Sequence, residues 1–264
     1  MNVSGARVLL TGATGGLGRA IAHALDERGA HLILTGRKED ALEDLATRLR
    51  SAYPLPADLA DRDAVAALPG RAGDVDILVH NAGLPGSGRL ESFSDEEIDR
   101  VLDVNLRAGI MLTHALLPAM LERRRGHLVY VSSISGKVPT VRASLYSATK
   151  YGLRGFAGAL RDDLHGSGVD ASVVFPGVIS GVGMQEGVDL PRYAPRRSAA
   201  DVGGAVVRVI EGNRAELDVA DPIQKTGVWM AALMPATAAR LRRLFPVEAI
   251  ADQAARQHRA RGKF

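Results

Sequence analysis

Short apolar runs alternate with longer helical patterns, and this alternation most restricts how the chain can fold. Five runs are almost continuously apolar: residues 6–10, 31–35, 76–80, 127–132 and 170–175. Strands of this kind are buried on both faces, as in a parallel sheet that helices cover. The helical patterns between them occupy residues 16–28, 39–49, 95–124 and 147–165. This order predicts an α/β fold, with one doubly wound parallel sheet and helices on both of its faces.

The remaining segments extend this pattern. Residues 215–220 are predicted as a last strand, and residues 51–57 as a third strand, although two prolines argue against a central position. Because no linker rich in Pro, Gly and Ser and no internal repeat is present, residues 1–264 are predicted to form a single domain. The Gly- and Pro-rich residues 181–197 are predicted to form a substrate lid.

Composition excludes some classes of site. The chain contains no cysteine, so disulfides and thiolate metal sites are excluded, and we expect no metal. The N-terminal residues lack the pattern of a secretory signal. No uninterrupted apolar run is long enough to span a membrane. We therefore expect a cytoplasmic protein.

The C-terminal helical extension, about residues 224–264, is basic and is interrupted at Pro246. From Arg240 onward it carries seven Arg and Lys residues against two Asp and Glu residues. Such a tail can bind nucleic acid or an anionic membrane, or it can be a solvated helix face. No base-reading motif is present, so we favour the solvated face and expect neither nucleic acid nor a membrane as partner. We expect the tail to shape the substrate pocket or to join a subunit interface.

A glycine-rich loop, residues 11–18, follows the first strand and leads into a helix. Gly12 permits a tight turn, Gly16 leaves room for a pyrophosphate, and Gly18 lets helix and strand pack closely. The helix N-terminus presents free N–H groups to the phosphates. An ordinary glycine-rich turn is the alternative, but the position between strand and helix favours a dinucleotide site. The loop residues expected to contact the cofactor are Gly12, Thr14, Gly16, Leu17 and Gly18.

The spacing T-G-x-x-x-G-x-G resembles that of the short-chain dehydrogenase/reductase family, and the resemblance extends over about residues 5–220. It implies a Rossmann-like domain with about seven parallel strands, a nicotinamide cofactor and oxidoreductase activity. It also implies a homodimer or homotetramer, in which the helices at residues 95–124 and 147–165 pair between subunits.

The end of the second strand indicates NADP(H) in preference to NAD(H). Gly36 stands where NAD-using relatives carry aspartate, and Arg37 follows it. A guanidinium can bind a 2′-phosphate through two parallel hydrogen bonds, whereas a carboxylate would repel it. The alternative is that Arg37 is a surface residue at the start of a charged helix. Gly15 occupies the other position where family members often carry a basic residue, so the preference depends on Arg37.

Further cofactor contacts follow from the resemblance. Asp58 and Leu59 are expected at the adenine, although Asp58 could equally be the N-cap of the helix that follows. Asn81-Ala82-Gly83 is similar to the family's N-A-G motif, and we interpret the preceding His80 as structural. The resemblance places the last contacts at Pro176, Gly177 and Ile179. Gly181 occupies the usual position of a threonine that touches the carboxamide, and Ser180 or loop backbone is the alternative source of this contact.

Tyr146 and Lys150 are four residues apart, so on a helix they share a face. The ordinary pKa of tyrosine is about 10. A neighbouring ammonium favours the phenolate, so Lys150 is expected to lower the pKa of Tyr146 towards neutrality. Tyr146 would then donate and accept protons near working pH. A tyrosine and a lysine at this spacing occur by chance in many helices, so the pair alone does not identify a catalytic site.

Ser133 and Asn105 make the pair specific. Ser133 lies thirteen residues before Tyr146, the spacing of the family, and its hydroxyl is expected to orient the substrate oxygen; Ser132 is the alternative. Asn105 matches the family's helical asparagine, which holds a water that relays protons from the lysine. Tyr146 and Lys150 are also expected to contact the cofactor.

The motifs together predict an NADPH-dependent oxidoreductase that interconverts a carbonyl and an alcohol. Leu84, Ile134, Val138, Met184 and Leu190 are predicted to line the pocket, which indicates a small hydrophobic ketone, aldehyde or alcohol. A non-catalytic NADPH-binding regulator of the same fold is the alternative. A second alternative is an enzyme that attaches to a lipid surface by its C-terminal helix. This alternative changes the location of the protein but not the reaction that it catalyses.

Overall fold

One seven-stranded parallel sheet forms the centre of the protein in a computed structural model that describes residues 1–180, 197–242 and 247–260. The strand order is β3-β2-β1-β4-β5-β6-β7, and all neighbours are parallel. The order reverses between β1 and β4, which is the arrangement of a doubly wound sheet and confirms the predicted fold class. The strands are β1 (Arg7–Thr11), β2 (His31–Thr35), β3 (Ala52–Pro54), β4 (Ile77–His80), β5 (Gly126–Val131), β6 (Val169–Pro176) and β7 (Glu216–Val219).

The third strand shows how the sheet accommodates proline. The predicted run 51–57 contributes only the three residues of β3, at the edge of the sheet beside β2. Pro54 is the last of them. An edge position tolerates proline because the missing N–H leaves no neighbouring strand unpaired.

Helices cover both faces of the sheet. One face packs against α1, α2 and α7, and the other against α3, α5 and α6, so the core consists of two apolar layers. The helices are α1 (Gly16–Glu27), α2 (Glu39–Thr47), α3 (Arg62–Ala72), α4 (Asp95–Leu102), α5 (Ala108–Glu122), α6 (Ser144–Asp163), α7 (Ala199–Glu211), α8 (Pro222–Leu233), α9 (Pro235–Arg242) and α10 (Val247–Ala260).

The helices differ from the sequence predictions in three places. No pattern predicted α7, and α3 was anticipated only as the helix that follows Asp58. The two helices begin at the side-chain caps Ser198 and Asp61. The long helix predicted at 95–124 consists of α4 and α5 joined by a π-helical segment, Asp103–Arg107. α6 begins at Ser144 and not at 147, so Tyr146 lies in its first turn.

The α4–α5 stretch also bears on the expectation that no segment could span a membrane. By length and composition, Asp95–Glu122 could cross one. Its side chains Val101, Leu112 and Leu116 are buried in the protein core. A core helix passes the same test of length and composition, so this finding is weak evidence for a membrane span.

Both ends of the predicted lid lie beside β6. Ile179 and Arg197 form a parallel β-bridge, and the Ser180 N–H donates to the Arg197 carbonyl at 2.9 Å. Residues 181–196, including Met184 and Leu190, lie outside the described residues. The two ends of the lid are therefore adjacent.

The C-terminal extension contains α8, α9 and α10, and Pro246 lies outside the described residues. α10 contacts the segment that follows the predicted pocket residue Val138, because Asp252 accepts from Arg142 Nε at 3.0 Å. Arg259 Nη2 donates to Ser92 Oγ at 3.1 Å and approaches Glu97 at 3.8 Å. The tail therefore contacts segments next to the predicted pocket.

Candidate active site

The predicted site residues collect at the carboxyl ends of β1, β4, β5 and β6. In an open parallel sheet, ligands bind at this edge, where the strand order reverses. The loops after these four strands contribute the glycine-rich loop, Asn81-Ala82-Gly83, Ser133 and Pro176-Gly177.

The glycine-rich loop has the geometry that a dinucleotide phosphate needs. Gly12 has a positive φ of 64°, and a Cβ there would lie 2.8 Å from the Cα of Ala82. A Cβ at Gly18 would lie 2.7 Å from the Ala13 carbonyl oxygen, so helix α1 packs directly on the loop. Helix α1 has no side-chain cap and no acidic residue in its first turn. Its N–H groups thus remain suited to a phosphate.

The other loop residues support this arrangement. Gly16 and Leu17 open α1, and the Leu17 side chain packs against the core. The Thr14 carbonyl accepts from Arg19 Nε at 3.2 Å.

Asn81 joins the loop to β4. Its Nδ2 donates to the carbonyl oxygens of Thr11 and Gly12 at 3.0 and 3.1 Å. The buried Thr11 hydroxyl accepts from the N–H groups of Asn81 and Ala82, both at 3.0 Å. This motif therefore fixes the position of the loop.

The adenine end of the predicted site is electropositive. Asp58 Oδ2 accepts from Arg100 at 3.0 Å, and Oδ1 accepts from the Ala60 N–H at 3.0 Å. Burial raises the pKa of Asp58, but the Ala60 N–H, Arg100 and the nearby Arg37 together hold it below its ordinary value. Arg37 itself is exposed. Around Asp58, the positive charge of two guanidinium groups therefore exceeds the negative charge of one carboxylate.

Asp58 is not a helix cap, so the alternative interpretation of this residue was wrong. Asp61 is the cap of α3, where its carboxylate accepts from Asp63 and Ala64. Asp58 instead stabilises the turn that precedes Asp61, and Leu59 in that turn is buried. The cap falls three residues later than expected.

Ser133, and not Ser132, faces Tyr146. The buried Ser132 hydroxyl donates to the Lys150 carbonyl at 2.9 Å and so attaches β5 to α6. The Ser133 side chain lies near enough to Tyr146 to lower the pKa of the phenol. The geometry therefore agrees with the choice of Ser133 that the spacing favoured.

The pKa of Tyr146 lies in the opposite direction from the sequence expectation. Burial raises it to about 12, and the nearby Ser133 hydroxyl offsets only part of that rise. Burial lowers the pKa of Lys150 to about 8. Lys150 Nζ lies 5.5 Å from the centre of the Tyr146 ring and donates to the Val131 carbonyl at 3.0 Å. Burial of the phenol therefore has more effect than the neighbouring amine.

Asn105 lies in the π-helical segment and binds the backbone that follows the N-A-G motif. Its Oδ1 accepts from the Leu84 N–H at 2.6 Å, and its Nδ2 donates to the Leu84 carbonyl at 2.9 Å. Nδ2 also lies 3.3 Å from the Thr149 hydroxyl. Between these groups, a Cβ at Gly83 would lie 3.4 Å from Lys150 Nζ and 3.6 Å from Asn105 Oδ1. Gly83 thus leaves Lys150 open towards the site.

His80 is fully buried, as its structural interpretation requires. Its Nδ1 lies 3.3 Å from the Thr11 hydroxyl, and its ring packs on α5 at Gly109, where a Cβ would lie 2.7 Å from Cδ2. Burial and the charge of Lys150 lower the pKa of His80 to about 3. The ring is therefore neutral near pH 7.

The end of β6 completes the site. Pro176 is buried, the Gly177 N–H donates to the Val219 carbonyl at 3.0 Å, and Ile179 is buried at the base of the predicted lid. Ser180 is exposed, and its N–H is bonded to Arg197. Gly181 lies outside the described residues.

Sequence reasoning missed two residues that support the site, Arg100 and Thr149, and it predicted Leu84 for its side chain and not for its backbone. Arg100 binds Asp58, which lies 42 positions earlier in the chain, and Leu84 takes part through its backbone. Neither contact therefore leaves a local pattern in the sequence. Thr149 was detectable, because a threonine inside a helix often bonds back to an earlier carbonyl, here that of Tyr146 at 2.7 Å.

Comparisons with known proteins agree with this architecture. The family model of the short chain dehydrogenases matches residues 6–191. The ketoacyl reductase HetN of Nostoc sp. is 33% identical over 260 residues, which cover 93% of this chain and 91% of that protein. The NADP-dependent 3-hydroxy acid dehydrogenase YdfG of Salmonella typhi is 38% identical over 180 residues, 66% of this chain and 73% of that protein. A short chain dehydrogenase from Burkholderia cenocepacia in complex with NADP superposes with a TM-score of 0.79 at 27% identity, covering 93% of this chain and all of that one.

Proposed function

Because the chain belongs to the short-chain dehydrogenase family, we propose that it is an NADP(H)-dependent oxidoreductase that interconverts a carbonyl and an alcohol by hydride transfer. The observation that carries the proposal is the meeting of three side chains at one sheet edge. Ser133 lies beside the half-buried Tyr146, and the buried Lys150 lies one helical turn further along α6. Next to them, the glycine-rich loop has the backbone that a dinucleotide phosphate requires.

The preference for NADP(H) is supported by charge. Gly36 has no side chain to oppose a 2′-phosphate, Arg37 is exposed beside it, and Arg100 already binds the carboxylate of Asp58. A carboxylate that is paired with a guanidinium repels a phosphate less than a free one does. YdfG and the Burkholderia protein, which are similar to this chain, are described as NADP-dependent and NADP-bound.

When bound, the nicotinamide supplies the hydride in reduction and accepts it in oxidation. In the direction of reduction, Tyr146 Oη donates its proton to the carbonyl oxygen, and the Ser133 hydroxyl orients that oxygen. A pKa of about 12 keeps the proton on Tyr146 near pH 7, which suits a proton donor. Lys150, whose Nζ lies next to Gly83, is proposed to bind the ribose hydroxyls and to return a proton to the phenol. Asn105 holds the Leu84 backbone at this point and lies on the proposed proton path.

We propose a small hydrophobic ketone, aldehyde or alcohol as the substrate, since Leu84 and Ile134 lie half-buried next to the catalytic group. Two copies or four are proposed to pair through α5 and α6, because Ile110, Met111 and Leu117 are only partly covered on the outer face of α5. No nucleic acid partner is proposed. The proposed location is the cytoplasm.

The test is the loss of NADPH or NADH absorbance in parallel reactions with a panel of ketones, aldehydes and quinones. We expect consumption of NADPH, little consumption of NADH, and none with Tyr146→Phe. Tight NADPH binding without turnover of any panel member would favour the alternative, a regulator that binds the cofactor without using it. Faster use of NADH than of NADPH would contradict the proposed preference.

A further inference from the structure

Helix α8 is largely apolar, and half of its residues are exposed. None of its residues is buried, and Ile223, Trp229 and Leu233 are 76%, 68% and 76% exposed. They are the three most exposed large apolar side chains of the described residues, and Met234, which follows the helix, is 54% exposed. Single exposed apolar residues are normal in a protein surface, but a group of four within twelve positions marks an interaction site.

Two of the exposed residues, Trp229 and Leu233, share one side of the helix, whereas Ile223 lies roughly a quarter of a turn away from that side. Pro222, Thr226, Trp229 and Leu233 recur at intervals of three and four positions, which places them in a single stripe. Thr226 is the one polar residue of the stripe, and its hydroxyl donates to the Pro222 carbonyl at 2.9 Å. Apart from Thr226, the stripe is therefore apolar.

The residues around the stripe carry positive charge only. Residues 222–247 contain Lys225, Arg240, Arg242 and Arg243 and no Asp or Glu. The preceding Asp221 is occupied as the helix cap, where it accepts from the N–H groups of Ile223 and Gln224. The segment thus combines an apolar face with uncompensated cations.

We propose that this face of α8 binds the surface of an anionic lipid bilayer. Exposed apolar side chains of a surface helix insert at the level of the headgroups, where tryptophan is favoured, while nearby cations attract anionic lipids. A second copy of the chain fits less well, because a two-fold contact would bring Lys225 and Arg240 of both copies together without a carboxylate from this segment. The proposal replaces the sequence expectation that no membrane takes part.

Contact with lipid would also orient the sheet. α8 begins three residues after β7 ends, and the side chain of Gln224 lies against Gly177 at the end of β6. α8 therefore lies at the same edge of the sheet as Ser133 and Tyr146. This edge would face the bilayer, from which an apolar substrate can enter. The binding itself does not depend on the proposed enzymatic activity.

Trp229 allows a direct test, since it is the single tryptophan of the chain. The full-length protein is titrated with vesicles of phosphatidylcholine alone and of phosphatidylcholine mixed with phosphatidylserine. We expect the emission of Trp229 to shift to shorter wavelength and to be quenched by brominated acyl chains, in the anionic vesicles more than in the neutral ones. Unchanged emission in both kinds of vesicle overturns the proposal.

Vesicle flotation then compares variants. Trp229→Ser/Leu233→Ser is expected to lower the partition coefficient on anionic vesicles by ~tenfold or more, because two large apolar groups no longer insert. Lys225→Glu/Arg240→Glu is expected to remove the preference for anionic vesicles. Leu90→Ser, at a residue that is also more than half exposed but lies on another surface, is the control and should bind as the wild type does. Thermal denaturation checks that each variant is folded.

Two outcomes would contradict the choice of lipid. Equal flotation of the wild type and Trp229→Ser/Leu233→Ser would show that α8 is not the contact. A molar mass in lipid-free buffer that falls by half in the same variant would show that the face binds a second copy of the chain instead.

Discussion

Asn105 binds both polar groups of the Leu84 backbone, accepting from its N–H at 2.6 Å and donating to its carbonyl at 2.9 Å. The pair joins the π-helical segment to the loop that follows β4, across 21 positions. The same segment places Asn105 beside Gly83 and Lys150. A π-helical turn inside a long helix often marks a functional site, and here its side chain organises the loop above the lysine.

Asn105→Ala is expected to lower the free energy of unfolding by about 1–3 kcal/mol, because the Leu84 N–H and carbonyl lose their partner. Urea denaturation measures the change. Asn2→Ala is the matched control, since the Asn2 amide bonds only locally, to the exposed Ser4 N–H. Equal losses in the two variants would mean that Asn105 does not stabilise the loop.

Tyr146→Phe is expected to abolish turnover and to leave the dissociation constant for NADPH nearly unchanged, because it removes only the proton donor. Tyr130→Phe is a matched control that also loses a buried hydroxyl, which lies 2.6 Å from Thr113. That control should lose stability and keep its activity. Steady-state kinetics measures turnover, and NADPH fluorescence titration measures the dissociation constant. Loss of cofactor binding in Tyr146→Phe would contradict the role assigned to the phenol.

Arg37→Ala is expected to weaken NADPH binding by roughly tenfold or more, since a charge-assisted hydrogen bond contributes about 1.5–3 kcal/mol. Binding of NADH should change little, because it has no 2′-phosphate. Lys38→Ala, at the neighbouring exposed cation, controls for a general loss of positive charge. Isothermal titration calorimetry with NADPH and with NADH measures the two affinities. Equal weakening of both affinities would exclude a contact between Arg37 and the phosphate.

Gly109→Ala is expected to destabilise the protein by about 1–3 kcal/mol through overpacking, because the new Cβ would lie 2.7 Å from Cδ2 of His80. The smaller side chain of His80→Asn should relieve most of this effect. A double-mutant cycle of unfolding free energies measures the coupling between the two positions. If the losses of unfolding free energy in Gly109→Ala and His80→Asn simply add in the double variant, the contact between the imidazole ring and the helix is not the cause of the destabilisation.

The stability of the protein is expected to fall in mild acid because of His127. Burial lowers the pKa of its imidazole to about 4, despite Asp170, which raises it. Between pH 6.5 and pH 4 the unfolded chain therefore binds a proton that the folded chain excludes, so stability decreases as the pH falls through this range. The loss approaches about 3 kcal/mol at pH 4. His127→Leu should remove this part of the slope in denaturant unfolding measured at several pH values, and an unchanged slope would contradict the prediction.

The sequence was sufficient where a property depends on local spacing. The apolar runs predicted the strands, and the four-residue interval placed Tyr146 and Lys150 on one helix. The contacts of Asp58 could not be predicted from local spacing, because its partner Arg100 is 42 residues away in the sequence. The pKa of Tyr146 also could not be read from Lys150, since burial by the whole fold determines its direction.

The β-bridge between Ile179 and Arg197 has a consequence for engineering. Since the two ends of residues 181–196 meet at one point beside β6, the entropic cost of closing this connection changes only slowly with its length. A connection of another length from a related enzyme could therefore be grafted between Ser180 and Arg197 without changing the register of the strands. Such an exchange would vary the choice of substrate while the scaffold that carries Ser133, Tyr146 and Lys150 stays the same.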